Sequence, residues 1–564
     1  MSKKYVLQLL VLAVFITFSS CSGKLNPLAG DYVKATPQPL EAVGGKVPVT
    51  IDATFPAKWF NKNAVVTVTP VIRYQGGEAW GTAYTFQGEK VKGNNPSISQ
   101  SAGGNVSLKS AFNYKPEMKK SELYLTFDAK IKGKTVQLPD IKIGDGVIAT
   151  AELADAASAK PAIGADKFQR IIKQAHEANI MFLIQQAELR SKELSKQEIA
   201  DWKNLVKNAD EAPNQNVAIE IAANASPDGG VKLNTGLAER RESATERYVA
   251  QELKKAKVNV PIDAHYQAQD WDGFRELVSK SNLQDKDLVL RVLSMYTDPE
   301  QREKEIKNIS SVFSTLADEI LPQLRRSRLI ANVEIIGKSD DEIKALVNSN
   351  PKALNVEEIL YAATLFNNVT EKESVYTKAS QQYPNDYRTW NNIGMIRFLS
   401  GDLAKAEELF AKASSVKSNP EANMNLGLIA LSKSDQAKAQ QLLGSAAGVP
   451  ELNEALGLLY LQQGDFAQAA SSLASSKSNN AALAQILTKD YSKASQTLSS
   501  VANPNALTDY LKAIVAARTN DAGSVISSLR AAIAKDRTYL KEAANDIEFA
   551  KYVTNAEFAS LLGQ

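Results

Sequence analysis

Between Asp31 and Ile148 apolar and polar residues alternate with a period of two. Val47-Pro48-Val49-Thr50-Ile51, Val66-Thr67-Val68-Thr69 and Leu123-Tyr124-Leu125-Thr126-Phe127 are the clearest runs. Gly44-Gly45, Gly76-Gly77, Asn94-Asn95-Pro96, Gly103-Gly104 and Lys132-Gly133-Lys134 separate such runs. Successive side chains of a strand point to opposite faces, so short alternating runs between turn residues predict an antiparallel β-sandwich over 31–148. Nothing in it suggests a ligand site, and it reads as a spacer.

An alanine-rich stretch, residues 149–165, reads as a linker. Beyond it Ile180-Met181-Phe182-Leu183-Ile184 and Val217-Ala218-Ile219-Glu220-Ile221 predict buried strands. Residues 196–208 and 234–255 predict helices, and 261–266 and 329–336 further strands with a helical insertion between them. Together these make a mixed α/β domain over 166–340. From about Asn355 onward the pattern is helical and repeats roughly every 34 residues. Trp390, Ile393, Gly394, Gly401, Ala406, Phe410 and Ala413 define one unit. Gly427, Ala439 and Ala446 repeat it 33 residues later, and Gly457, Tyr460, Gly464 and Ala469 do so again. Tyr376, Ala379 and Pro384 close an earlier unit, while Tyr491-Ser492-Lys493-Ala494 and Leu529 with Ala532 mark degraded ones.

These spacings carry resemblances. The 31–148 sandwich is similar to immunoglobulin-like domains in the spacing of its short strands. The helical units are similar to tetratricopeptide repeats, which implies helix pairs stacked into a superhelix over 341–564, with a groove for a partner's helix or extended segment. Asn234-Thr235-Gly236-Leu237-Ala238-Glu239-Arg240-Arg241 resembles the N-x-x-L-S-x-R-R-A helix start of OmpA-like peptidoglycan-binding domains. In that family a loop Asp and the second Arg of the helix hold the ammonium and carboxylate of diaminopimelate. The resemblance implies that Arg241 takes the carboxylate and Asn234 closes the loop. The Asp position falls on Ser226, because Ala225-Ser226-Pro227-Asp228-Gly229 replaces the usual H-T-D-S-x-G. A hydroxyl facing an ammonium lacks the charge-assisted bond, which is about twice as strong as a neutral one. Asp228 could substitute only in a reshaped loop. This loop, and the insertion after Asp270-Trp271-Asp272-Gly273, are similar to a variant found in envelope lipoproteins of the Bacteroidota.

The start of the chain changes the picture of where this happens. Lys3 and Lys4 precede an apolar run, Tyr5 to Phe18, that is short for a membrane span but suited to a leader. Ser19-Ser20 then supplies the small residues a lipoprotein signal peptidase needs before Cys21, although Phe18 stands where Leu is usual. Cys21 is the only cysteine, so the chain holds no disulfide within itself. The expectation is a removed leader at 1–20 and a lipidated N-terminus and linker at 21–30, anchored by acyl chains at about 0.8 kcal/mol per buried methylene. Residues 22–26 lack the acidic run of a surface-export signal, which favours an inward-facing anchor.

Composition and charge exclude several classes. The 66 basic side chains against 63 acidic ones become 64 against 63 once Lys3 and Lys4 leave, which provides no electrostatic footprint for nucleic acid. His176 and His265 are the only histidines and have no Cys or His partner at metal-ligand spacing. No G-x-S-x-G occurs, and Gly337-Lys338-Ser339 has Asn332 where a P-loop has its first glycine. No metal and no cofactor is implied. The fold class expected is multidomain α+β: a β-sandwich, an OmpA-like α/β domain and an all-α superhelix of tetratricopeptide repeats. The function expected is a non-enzymatic scaffold at the outer membrane, facing the periplasm. It would meet outer-membrane or periplasmic proteins through the repeat groove, and peptidoglycan if the variant loop (Ser226, Asp228, Asn234 and Arg241) keeps its ligand. The alternatives are an accessory lipoprotein of outer-membrane protein assembly or secretion, and an envelope hydrolase with a carboxylate pair.

Overall fold

The computed structural model describes residues 25–563 apart from 284 and 309, so Cys21 and the leader lie outside the described residues. The chain forms two compact units: Met1–Ala165 with Asn368–Gln564, and Asp166–Asn367. Its β-rich beginning and all-helical end make it a multidomain α+β protein.

The β-rich part contains β1 (Val33–Thr36), β2 (Leu40–Glu41), β3 (Lys46–Phe55), β4 (Ala64–Tyr74), β5 (Gly77–Trp80), β6 (Tyr84–Gly88), β7 (Ser97–Ile98), β8 (Gly104–Asn113), β9 (Ser121–Ile131), β10 (Lys134–Val136), β11 (Ile141–Asp145) and β12 (Val147–Ile148). One antiparallel sheet runs β1-β3-β8. A second runs β10-β9-β4-β6-β7, with β11 added to β9 and β5 to β4. The period-two pattern sends Val47, Val49, Ile51 and Phe55 of β3 into one core with Ala64, Val66 and Val68 of β4 and Leu123 and Leu125 of β9. Strands buried on one face gain their stability from such shared packing rather than from backbone pairing alone.

The second unit holds β13 (Ile171–Met181), α1 (Ser191–Leu194), α2 (Gln197–Glu211), β14 (Gln215–Asn224), α3 (Val231–Ala256), β15 (Ile262–Gln267), α4 (Trp271–Lys280), α5 (Lys286–Met295), α6 (Pro299–Asn308), α7 (Ser310–Thr315), β16 (Arg326–Ile336), α8 (Asp340–Ser349) and α9 (Val356–Thr364). Its sheet is ordered β13-β16-β14-β15, with only the β14–β15 pair parallel. Ala178, Ile180, Ile219, Ile221, Leu329 and Ala331 pack beneath Ile199, Trp202 and Val206 of α2 and Val249 and Leu253 of α3. Helices α4 to α7 form the expected insertion with a core of their own around Trp271, Phe274, Val289 and Leu316. Two expectations are corrected. The first strand begins at Ile171 and ends at Met181, not at 180–184, because an edge strand with Ile171, Ile172, Lys173 and Gln174 exposed shows no apolar run to read. The unit also extends to Asn367, past the expected boundary at 340. Arg170 is paired with Asp340 at the start of α8, Lys338 lies 2.9 Å from Glu358, and Phe168 stacks on Tyr361 at 4.3 Å, so α8 and α9 belong to this body.

The helical remainder of the first unit is α10 (Val369–Gln382), α11 (Tyr387–Leu399), α12 (Leu403–Val416), α13 (Pro420–Ser432), α14 (Gln436–Gly444), α15 (Leu452–Gln463), α16 (Phe466–Ser472), α17 (Asn479–Leu487), α18 (Tyr491–Ser499), α19 (Ala506–Arg518), α20 (Ala522–Lys535), α21 (Thr538–Asn545) and α22 (Ala556–Leu561). From α11 to α20 these are antiparallel pairs with one recurring device at the turn inside each pair. A residue with positive φ (Gly401, Ser434, Gly464, Lys489 and Asn520) ends the first helix. The Asp that follows (Asp402, Asp435, Asp465, Asp490 and Asp521) accepts a hydrogen bond from the backbone N–H three residues on and starts the second. Each such cap stabilises a helix start by about 1 kcal/mol. Within pairs the helices nearly touch: a Cβ on Gly394 would lie 2.7 Å from Phe410, and one on Gly457 2.4 Å from Leu473. Ala406, Ala439, Ala469 and Ala494 are fully buried in the same seam.

The β-rich part packs against the helices of the same unit. Lys119 pairs with Glu542, Glu152 accepts a hydrogen bond from the Gly45 N–H at 2.9 Å, and Gly44 lies so close to α15 that a Cβ would meet the Gln462 carbonyl oxygen at 2.2 Å. Residues 149–165 complete the union.

Candidate functional site

The loop of the second unit brings Ser226, Asp228, Asn234 and Arg241 together, with one residue that the sequence did not point to. Asn234, in the first turn of α3, donates from Nδ2 to the carbonyls of Ser226 (2.8 Å) and Gly229 (2.9 Å), and so braces the loop. The Ser226 hydroxyl donates to Asp228. Arg325, just before β16, lies 3.2 Å from the other Asp228 oxygen and 3.3 Å from Ser226 Oγ. Arg241 is 0% exposed. Its guanidinium donates to the carbonyls of Asn224 (2.7 Å), Gln186 (2.9 Å) and Leu183 (3.2 Å) and sits 4.8 Å over the Phe182 ring. Burial, reinforced by the neighbouring Arg325 charge, pushes Arg241 down to about 10.

This arrangement departs from the ligand grip that the resemblance implied. Asp228 already faces a cation supplied by the chain, and Arg241 ties strand β14 and the 183–186 segment together through their carbonyls. A small zwitterion would have to displace Arg325 and would find no exposed face of Arg241. Arg325 is 97 residues from Asp228, and only the basic cluster Arg325-Arg326-Ser327-Arg328 marks it in the sequence.

Among the described residues, three carboxyl groups are raised above their ordinary range, and they lie on separate elements. Glu242 of α3, Glu454 of α15 and Asp546 after α21 are each pushed up chiefly by burial, and none of the three is shifted by another. Among the described residues no group of three or more His, Cys, Asp or Glu side chains could hold a metal ion, and no helix is long and apolar enough to cross a membrane.

A second set of side chains forms a site that sequence reading missed. The first helices of the repeat pairs carry Asn391 and Asn392 (α11), Asn425 (α13) and Asn480 (α17), all nearly or wholly buried. Against them runs the alanine-rich segment 149–165. Asn425 accepts from the Ala162 N–H at 2.7 Å and donates to the Ala162 carbonyl at 2.8 Å. Asn392 does the same with Gly164 (2.8 and 2.9 Å), and Asn480 with Asp155 (3.0 and 2.9 Å). Asn391, 34 residues before Asn425, also donates to the Ala162 carbonyl at 3.0 Å and accepts from Asn425. A carboxamide presents one donor and one acceptor side by side, so it can match both backbone groups of a single residue. Ala156, Ala159 and Ala162 sink into the apolar core of the repeats. The segment starts near the C-terminal end of the repeats, where the Thr150 hydroxyl donates to Glu548 of the 3-10 turn after α21 at 2.6 Å. It ends at α11, where Arg388 donates to the Ala165 carbonyl at 3.1 Å. It therefore runs against the order of the repeats. The groove expected to stand open carries this chain's own backbone.

Residues 387–420, spanning α11 and α12, match the family model of the tetratricopeptide repeat. No curated protein matches the chain. Among solved structures, a tetratricopeptide repeat protein from Parabacteroides merdae is similar over 43% of this chain and 99% of its own, at 11% identity and a TM-score of 0.29. The pilF protein of Pseudomonas aeruginosa is similar over 40% of this chain and 99% of its own, at 18% identity and 0.26. The Cut9-Hcn1 assembly matches over 65% of this chain and 80% of its own, at 13% identity and 0.32. At TM-scores this low, the repeats outside 387–420 rest on their own recurring turns and close helix contacts.

Proposed function

We propose that the chain is a scaffold lipoprotein of a bacterial envelope, anchored through Cys21 to the outer membrane and facing the periplasm, which holds protein partners and catalyses nothing. The observation that supports it most is the stack of helix pairs from α11 to α20, one of which matches the tetratricopeptide repeat. Stacked pairs of this kind offer long surfaces suited to other polypeptides. The leader directs the chain to the envelope and is removed, and the lone Cys21 supplies the membrane attachment. Because the first-helix side already carries residues 155–165, partners meet the outer helices, where Glu408 of α12 and Gln441 of α14 are exposed. The loop at Ser226 and Asp228, closed on Arg325, gives no support to a peptidoglycan contact.

The test is a photo-reactive residue placed at Glu408 or Gln441 in the full chain, crosslinked in living cells. Adducts with a defined outer-membrane or periplasmic protein are expected, and its identity separates a general scaffold from an accessory factor of protein assembly or secretion. A chain that fractionates with the membrane yet gives no protein adduct from either position would overturn the scaffold reading.

A further inference from the structure

We infer that the first-helix face of the repeats is a backbone-reading site whose resident ligand is this chain's own segment 155–165, held for the life of the fold and not exchanged for a partner. Three observations carry it. The first is the mode of recognition. Asn392 and Asn425 each pair with both backbone groups of one residue, at Gly164 and Ala162, two residues apart. That is how one strand reads alternate residues of another, with carboxamides standing in for the second strand.

The second is the fit of the side chains. Ala156, Ala159 and Ala162 belong to the same apolar core as Leu428, Leu458 and Leu483. Gly164 lies where a Cβ would stand 2.8 Å from Arg388 Cγ and 3.1 Å from its Cα. The class of ligand accepted is thus a peptide with one 3-10 turn (Ala156–Ser158) followed by an extended stretch, with alanine at 156, 159 and 162 and glycine at 164.

The third is tethering at both ends. Thr150 is held by Glu548, itself paired with Arg518 at 3.1 Å, and at the other end the Ala165 carbonyl accepts from Arg388 at 3.1 Å. A tethered ligand competes at an effective concentration in the millimolar range. A free peptide must exceed that, and it must also displace a chain whose alanines are already packed. The segment is therefore a structural member that joins the β-rich part to the repeats, and the composition of an ordinary linker conceals it.

Hydrogen exchange on the purified full chain tests this without any variant. The amides of Ala162 and Gly164 should exchange at least about a thousandfold more slowly than in an unstructured peptide, and together with the core of α13. Exchange within tenfold of the unstructured rate would overturn the inference. A synthetic peptide of residues 149–165, added in large excess, should neither bind nor change those rates. Binding that accelerates exchange at Ala162 and Gly164 would show a displaceable latch and would also overturn it. In the Asn392→Ala, Asn425→Ala double variant the two amides should exchange at least tenfold faster while the β3 and β4 amides keep their protection. Unchanged rates there would mean that the asparagines do not hold the segment. These measurements need no partner, so they stand apart from the crosslinking result.

Discussion

Asn425 and Ala162, 263 residues apart, are joined by two hydrogen bonds: the Ala162 N–H donates to Oδ1 at 2.7 Å and Nδ2 donates to the Ala162 carbonyl at 2.8 Å. Both residues are fully buried. Replacing Asn425 with Ala leaves the Ala162 N–H and Asn391 Oδ1 without their partner, and the Ala162 carbonyl with Asn391 alone, and should cost about 2–4 kcal/mol in urea unfolding. Asn425→Asp removes only the donor and sets a carboxylate against the Ala162 carbonyl and Asn391 Oδ1, so it should be no milder. A loss under about 0.5 kcal/mol for both, small beside one buried hydrogen bond, would speak against the pairing.

Ala406 lies in the seam of the α11–α12 pair and is fully buried. Ala406→Leu should overpack it at a cost of about 1–3 kcal/mol. Thermal unfolding of the full chain measures this, and an unchanged midpoint would contradict the repeat register.

Arg241 should act as a structural residue and not as a ligand contact. Arg241→Ala removes a donor from three backbone carbonyls, of which that of Leu183 keeps the Gln186 N–H, and should lower the stability of the second unit by about 3 kcal/mol, with Arg241→Lys little better because an ammonium cannot span the three acceptors. Neither the unaltered chain nor Asp228→Ala should co-sediment with purified sacculi. Retention of the unaltered chain, lost in Asp228→Ala, would restore a peptidoglycan site.

Asp546 gives a pH dependence of defined sign. Its carboxyl is raised above the ordinary range chiefly by burial, although the Tyr510 hydroxyl (2.6 Å) and the Glu548 N–H (3.0 Å) favour its charged form. The folded state thus holds this proton more tightly than the unfolded chain, whose Asp titrates near about 3.9. The contribution is fully present below that value and is lost as pH rises through the raised folded value. The unaltered chain should gain stability relative to Asp546→Asn as pH falls from 7 towards 4, read from denaturant midpoints. A constant or reversed difference would refute the assignment.

Cys21→Ser should move the protein from the membrane fraction to the soluble fraction after a salt wash, since no described helix can cross a membrane. Persistence in the membrane would remove the lipid anchor from the proposal.

The sequence by itself determined what is local. Alternation in 47–51 and 66–69 marks strands because pleated side chains alternate, and Gly394, Ala406, Gly427 and Ala439 mark helix pairs because close approach demands small residues at a fixed period. Even the degraded repeats at Asp490 and Asp521 keep the cap that starts their second helix. Tertiary structure decided the rest. Nothing local in Ala159-Lys160-Pro161-Ala162-Ile163-Gly164 distinguishes a linker from a ligand. The distinction lies in Asn391, Asn392 and Asn425, more than two hundred residues away, whose amides accept and donate only once the helices are stacked. Arg325 likewise meets Asp228 only because β16 folds back between β13 and β14. Periodicity reports which face of an element is apolar, whereas backbone recognition and charge pairing depend on which distant residues arrive at that face.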